Sequence, residues 1–243
     1  MFGFAAVCLF TGFGLERLLG DRRKIFAVSL PDGQLAQETF GTLRFLAMAS
    51  ITFGLMLFLV DHADSTPRRF ALTFGVSWVS FEVLYWMLHR AMHTRRGFRF
   101  HRYHHDSRVM SPMTGYSMSK VEAIGWLVAL TGPPAVLSLF VPISIEGFVA
   151  YLAYHMSGNI VGHSNVELFG LIVGKRPTSW WLHPITYHAL HHARVTNHYG
   201  FGSTFMDRWL KTEWADWPAL HARVAAGDAL RRFTEKASAP KAG

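Results

Sequence analysis

His89-Arg90-Ala91-Met92-His93 ends an apolar run that starts at Phe70, and His101-Arg102-Tyr103-His104-His105 follows shortly after it. In an α-helix, side chains three and four residues apart share one face. H-x-x-x-H and H-x-x-H-H therefore each aim all their imidazoles in one direction. The second pattern returns as His188-Ala189-Leu190-His191-His192, with His163 alone between the two halves of the chain. These four clusters read as a metal site in which helix faces meet around a buried centre.

The sequence around them belongs to a membrane. Half of the 243 residues are hydrophobic and only 16% are charged, where a soluble domain carries about a quarter. Residues 2–19, 43–60 and 70–88 are each apolar for about the 17–25 residues that a bilayer core demands. The apolar region 121–161 is too long for one span and is interrupted by Gly132-Pro133-Pro134 and Val141-Pro142, which predicts a helical hairpin turning near Pro142. The expected fold is an all-α integral membrane protein: four to five transmembrane or hairpin helices with a cytosolic helical cap that holds the histidines. With no linker or composition break, residues 1–243 read as a single membrane domain. An amphipathic helix is expected around Trp217–Phe233, within a polar tail over 213–243, and disorder over 238–243. Trp180-Trp181 and Trp214–Trp217 read as interfacial anchors or packing residues.

The net charge of +8 would suit nucleic acid in a soluble protein, but here the arginines crowd the ends of the apolar segments. Arg90, Arg95, Arg96, Arg99, Arg102, Arg108 and Lys120 stand against one acid, Asp106, in the segment that carries the first two histidine clusters. By the positive-inside rule that segment is cytoplasmic and the N-terminus faces outward, with no nucleic-acid partner. The N-terminus lacks the marks of a cleaved signal peptide, so the first apolar run is expected to be retained.

Buried imidazoles need a partner for each ring nitrogen, because an unpaired buried polar group costs about 1–3 kcal/mol. The lone cysteine, Cys8, lies in an apolar stretch, so histidine must supply the ligands. Nine histidines are too many for one closed tetrahedral zinc site; two metals sharing them is the natural count. Four or five nitrogens per metal leave an open coordination position, which suits iron working on dioxygen, although zinc can occupy such a site in an isolated sample. Glu82, two helical turns before His89 and inside the apolar span, needs a partner of its own. It reads as an acceptor that orients a ligating imidazole, or as the partner of a polar group on a neighbouring helix.

These motifs, in this order, resemble the fatty acid hydroxylase and sterol desaturase superfamily of membrane di-iron enzymes. The likeness spans about 78–212 and rests on Glu82-Val-Leu-Tyr85-Trp86-Met-Leu-His89-Arg90, His101-Arg-Tyr-His104-His105, Asn159-Ile-Val-Gly162-His163-Ser-Asn-Val-Glu167-Leu-Phe169 and Tyr187-His188-Ala-Leu-His191-His192. Asn197-His-Tyr199-Gly200 and Phe205-Met-Asp207-Arg208 complete it. The resemblance implies that His89, His93, His101, His104, His105, His163, His188, His191 and His192 are metal ligands. It places Asn159 where some members carry a histidine, within reach of the metal through water. Glu82 in place of aspartate, Lys120 in place of a histidine before Glu122, Met206 in place of tryptophan and Lys211 in place of glycine leave the subfamily open. His155, His183 and His198 read as packing or supporting residues, and His62 and His221 as exposed.

The implied activity is that of an oxygen-dependent di-iron oxidoreductase, with dioxygen as co-substrate. It would hydroxylate or desaturate an unactivated C–H position of a lipid held in an apolar channel. No dinucleotide fingerprint, haem-binding appendage or iron–sulfur motif is present, so electrons would come from a separate electron-donor protein. The competing reading is a non-catalytic membrane protein that binds metal or lipid.

Overall fold

The computed structural model describes residues 1–172 and 184–237. Among the described residues ten α-helices run in chain order: α1 (Phe2–Arg23), α2 (Gln34–Leu59), α3 (Pro67–Met92), α4 (Phe98–His105), α5 (Lys120–Ser138), α6 (Ile145–Gly162), α7 (Phe169–Ile172), α8 (Ile185–Arg194), α9 (Phe205–Trp209) and α10 (Trp217–Ala225). No strand forms among the described residues; pairing is limited to isolated bridges such as Lys24–Val166 and His62–Ile143. The chain is thus all-helical, as its periodicity predicts.

Four of these helices, α1, α2, α3 and α5, are long and apolar enough to cross a membrane. They carry large apolar side chains turned outward, with Phe10 80% exposed and Phe58 85% exposed. Such a surface is tolerable only against lipid. Helix starts follow capping chemistry: Thr66 precedes Pro67 and accepts from Arg69 N, and Ser144 Oγ accepts from Gly147 N.

Helix α6 follows α5 through a turn at 139–144 around Pro142, where the sequence places it, but its main packing is on other helices and not on α5 as in a closed hairpin. It lies against α1 and α3 and buries Phe148, Tyr151 and Ile160 completely. Gly147 permits that approach, since a Cβ there would stand 2.9 Å from the Phe70 carbonyl oxygen.

Gly132-Pro133-Pro134 does not interrupt α5, contrary to the sequence expectation; the helix continues to Ser138. Pro134 has no N–H for the carbonyl of Leu130, one turn earlier, and the Tyr151 hydroxyl on α6 donates to that oxygen instead, at 3.1 Å. The tertiary partner removes the penalty that local sequence predicts.

One apolar core, around Phe45, Phe81, Trp126, Phe148 and Tyr151, lies among the long helices. A second, around Ile25, Phe26, Tyr187, Leu190, Trp217, Leu220 and Leu230, lies beneath α8 and α10. Helix α10 is shorter than expected and stops before Gly227, whose φ of 93° turns the chain back so that Leu230 and Phe233 pack on this second core. Trp180, Trp181, His183 and the segment 238–243 lie outside the described residues.

Candidate metal centre

The last turn of α3 delivers His89, with His93 as its C-cap; α4 delivers His101, His104 and His105; the C-cap of α6 is His163; and α8 delivers His188, His191 and His192. Their ring nitrogens gather into two groups. His89, His93, His101, His105 and His191 form one, and His104, His163, His188 and His192 form the other, each with all its potential ligand atoms within 4.8 Å of one another. Neighbours in sequence separate: within H-x-x-H-H of α4, His101 and His105 serve the first group and His104 the second. The same division falls between His191 and His192 on α8, because consecutive residues on a helix point about 100° apart.

Six of the nine rings set Nδ1 against an oxygen, a main-chain carbonyl in five and the Glu122 carboxylate in one. Nδ1–H donates to an oxygen in His89 (Tyr199 O, 2.9 Å), His101 (Glu122 Oε1, 2.6 Å), His104 (Ser117 O, 3.2 Å), His163 (Asn159 O, 2.7 Å), His191 (Asn197 O, 2.6 Å) and His192 (Ser107 O, 3.0 Å). Each Nε2 then carries a lone pair turned to the centre. His89 Nε2 and His101 Nε2 stand 3.1 Å apart with no proton to share. The spacing repeats from His101 to His105 and from His105 to His191 at 3.1 Å, and from His163 to His188 at 2.9 Å. The Nε2 atoms of His93 and His192 have no hydrogen-bond partner.

Lone pairs facing one another in a buried space repel, and a cation converts that repulsion into bonding. Two imidazoles at about 2.1 Å from one metal and at right angles to each other would stand about 3.0 Å apart, so the spacing fits. Burial also keeps the rings neutral, as ligands must be. It lowers His93 and His104 to about 4 and holds His101, His105, His191 and His192 well below the ordinary imidazole value.

The acid that orients an imidazole is Glu122, in the first turn of α5, which holds His101 and also accepts from Trp126 Nε1 at 3.2 Å. Glu82 does not take the imidazole role. Its carboxylate accepts from Ser203 Oγ at 2.9 Å and from the main-chain N–H groups of Gly202 and Ser203, fixing the loop before α9. Asn159 turns its amide onto the Gly115 carbonyl at 2.8 Å while its own carbonyl holds His163.

Three further buried carboxylates, none with a role readable from spacing, tie down the segments around the centre. Asp207 on α9 accepts from Tyr199 N, Gly200 N, Trp86 Nε1, the Tyr187 hydroxyl and Thr212 Oγ1. Glu167 accepts from Thr186 N at the start of α8, from Thr186 Oγ1 and from His221 Nδ1. His221 is therefore fully buried, not exposed as the sequence reading expects. Glu38 on α2 accepts from Gln34 Nε2, Ser107 Oγ, Ser111 Oγ and Thr114 Oγ1, all at 2.5–2.7 Å. Ser107 and Ser117, which flank that segment, present the carbonyls that hold His192 and His104.

Glu38→Ala leaves the three buried hydroxyls of Ser107, Ser111 and Thr114 unanswered. The four-histidine group is expected to bind metal roughly tenfold more weakly, the lower end of what loss of a supporting hydrogen bond costs. The five-histidine group keeps its metal. Metal titration followed by elemental analysis of the membrane-extracted protein reads the difference; equal loss from both groups would contradict it.

His198 and His62 behave as expected. His198 donates to the Tyr187 carbonyl and accepts from Trp214 N, a packing role, and His62 is exposed. An apolar cavity opens from the centre into the long helices, with His101, His104 and His163 at one end and Phe45, Phe53, Phe81, Trp126 and Leu152 along its walls.

The fatty acid hydroxylase family model matches residues 74–212, more than half of the chain and a stretch that contains all nine clustered histidines. The chain belongs to the fatty acid hydroxylase family. Within it, the chain is similar to very-long-chain aldehyde decarbonylase GL1-5 of Oryza sativa subsp. indica, 30% identical over 129 residues, covering 52% of this chain and 21% of the relative. Very-long-chain aldehyde decarbonylase CER1 of Arabidopsis thaliana is 31% identical over 125 residues, 49% of this chain and 19% of the relative. This fatty acid hydroxylase family member thus spans about a fifth of the length of those relatives. No solved structure matches the chain.

Proposed function

We propose that this chain is a membrane-bound, oxygen-dependent oxidoreductase that uses two irons to hydroxylate or desaturate an unactivated C–H position of a lipid. The observation that carries the reading is the cavity: its inner end is built from His101 of the five-histidine group and His104 and His163 of the four-histidine group. An alkyl chain lying in it ends between the two groups.

Iron held there supplies the activation of dioxygen that C–H oxidation requires. The nine histidines bind the metals, and the Nδ1–H bonds to Glu122 and to five carbonyls set the ring orientations before metal arrives. Phe45, Phe81 and Trp126 exclude water and hold the chain against the reacting end. Electrons come from a separate donor protein. Arg95, Arg96, Arg99, Arg102 and Arg108 lie exposed beside α4, a basic face that suits an acidic carrier. By the positive-inside rule the same charges support a cytoplasmic histidine side.

Iron-loaded protein incubated with a reductant, dioxygen and extracted membrane lipids is expected to yield lipids one oxygen heavier or two hydrogens lighter by mass spectrometry. Unchanged lipids with two irons bound would favour a metal-binding or lipid-binding scaffold instead.

A further inference from the structure

His155 lies on α6 in the wall of the apolar cavity, 4% exposed, and both of its ring nitrogens lack a hydrogen-bond partner. It belongs to neither histidine group. Eight residues, about 12 Å along the helix, separate it from His163 at the reacting end. Aromatic rings surround it: Phe81 at 4.2 Å between centroids, Tyr151 at 4.6 Å, and Phe201 at 5.2 Å.

The polar groups nearby are committed elsewhere. The Tyr151 hydroxyl donates to Leu130 O, and Glu82 accepts from Gly202 and Ser203. A buried imidazole left without a partner in such surroundings is costly, and an ionisable side chain within a membrane protein's interior usually marks a ligand path.

We infer that His155 is the docking point for an oxygen atom of the lipid substrate, so that the cavity selects a long-chain lipid bearing a neutral hydroxyl or carbonyl remote from the reacting carbon. This rests on reading the cavity as the lipid site. A neutral imidazole offers one N–H donor and one lone pair, which a hydroxyl answers with either of its roles and a carbonyl with its oxygen. No Asp, Glu, Lys or Arg side chain lines the cavity, and the rings packed around His155 offer a carboxylate or phosphate no counter-charge at that point.

The test uses zinc-loaded full-length protein in phosphatidylcholine nanodiscs, with hexadecan-1-ol, hexadecane and palmitate as probes at equal mole fraction. Retained probe is counted by native mass spectrometry. The unaltered protein should retain the alcohol about tenfold over the alkane. H155F should bring that ratio near one with metal content unchanged, and H155Q should restore part of it. In the unaltered protein, hexadecan-1-ol but not hexadecane should shift one histidine ring ¹⁵N signal, and H155Q should lack that signal. Equal retention of alcohol and alkane, a preference for palmitate, a preference that survives H155F, or no ring shift would each overturn the inference. Retention is read without turnover, so failure to oxidise lipids would sink the proposed activity alone.

Discussion

His191→Ala and, separately, His104→Ala are each expected to abolish the proposed lipid oxidation, by on the order of 10⁴-fold, while the protein still inserts into the membrane. The two replacements fall in different groups: His191 with His89, His93, His101 and His105, and His104 with His163, His188 and His192. Each variant should therefore lose one metal and keep the other, which elemental analysis reads directly. The activity loss is expected to be as deep in either variant as in the double variant, because two metals acting on one substrate work as a unit. Insertion should survive, since the four long apolar helices lie outside α4 and α8. Full activity in either single variant would show the ligand assignment to be wrong.

Asp207→Ala is expected to lower the unfolding temperature by about 10 °C and to strip the five-histidine group of metal first. The carboxylate gathers five donors from four segments of the chain, at 2.6–3.0 Å, in a fully buried position. Two of them, Tyr199 N and Gly200 N, belong to the loop in which Asn197 and His198 take left-handed backbone angles, with φ of 62° and 57°. Such angles persist in non-glycine residues only when surrounding bonds hold them. That loop presents the Asn197 and Tyr199 carbonyls to His191 and His89, so its release frees two rings of the same group. Thermal unfolding in detergent, with metal content measured alongside, tests both parts. An Asp207→Ala protein with unaltered stability and two metals would show that the loop is held by other contacts.

The positions of the long helices and the nine clustered histidines were legible because both depend on neighbours in sequence. An apolar run of bilayer length is a span wherever it occurs, and H-x-x-H-H gathers its histidines on one broad side of a helix, although the 100° step between neighbours then divides them between the two groups. Where a remote partner acts, the sequence misleads. Pro133-Pro134 reads as a break, but the Tyr151 hydroxyl from another helix supplies the missing donor. His221 reads as exposed from sequence alone, yet Glu167 from a distant segment draws it inside.

The acids make the same point at the centre itself. Glu82 shares a helix face with His89, and spacing alone offers it as that ring's partner. The structure gives Glu82 to the 202–203 loop and brings Glu122 from α5 to His101. Helix periodicity and apolar transfer energy act over one or two turns, so the chain's own order determined an all-helical membrane protein with a histidine-rich centre. The division of nine rings into five and four, and the choice of carboxylate or carbonyl behind each, depended on how the helices are rotated against one another. That rotation is decided only when buried donors and acceptors from separate segments find one another in the packed fold.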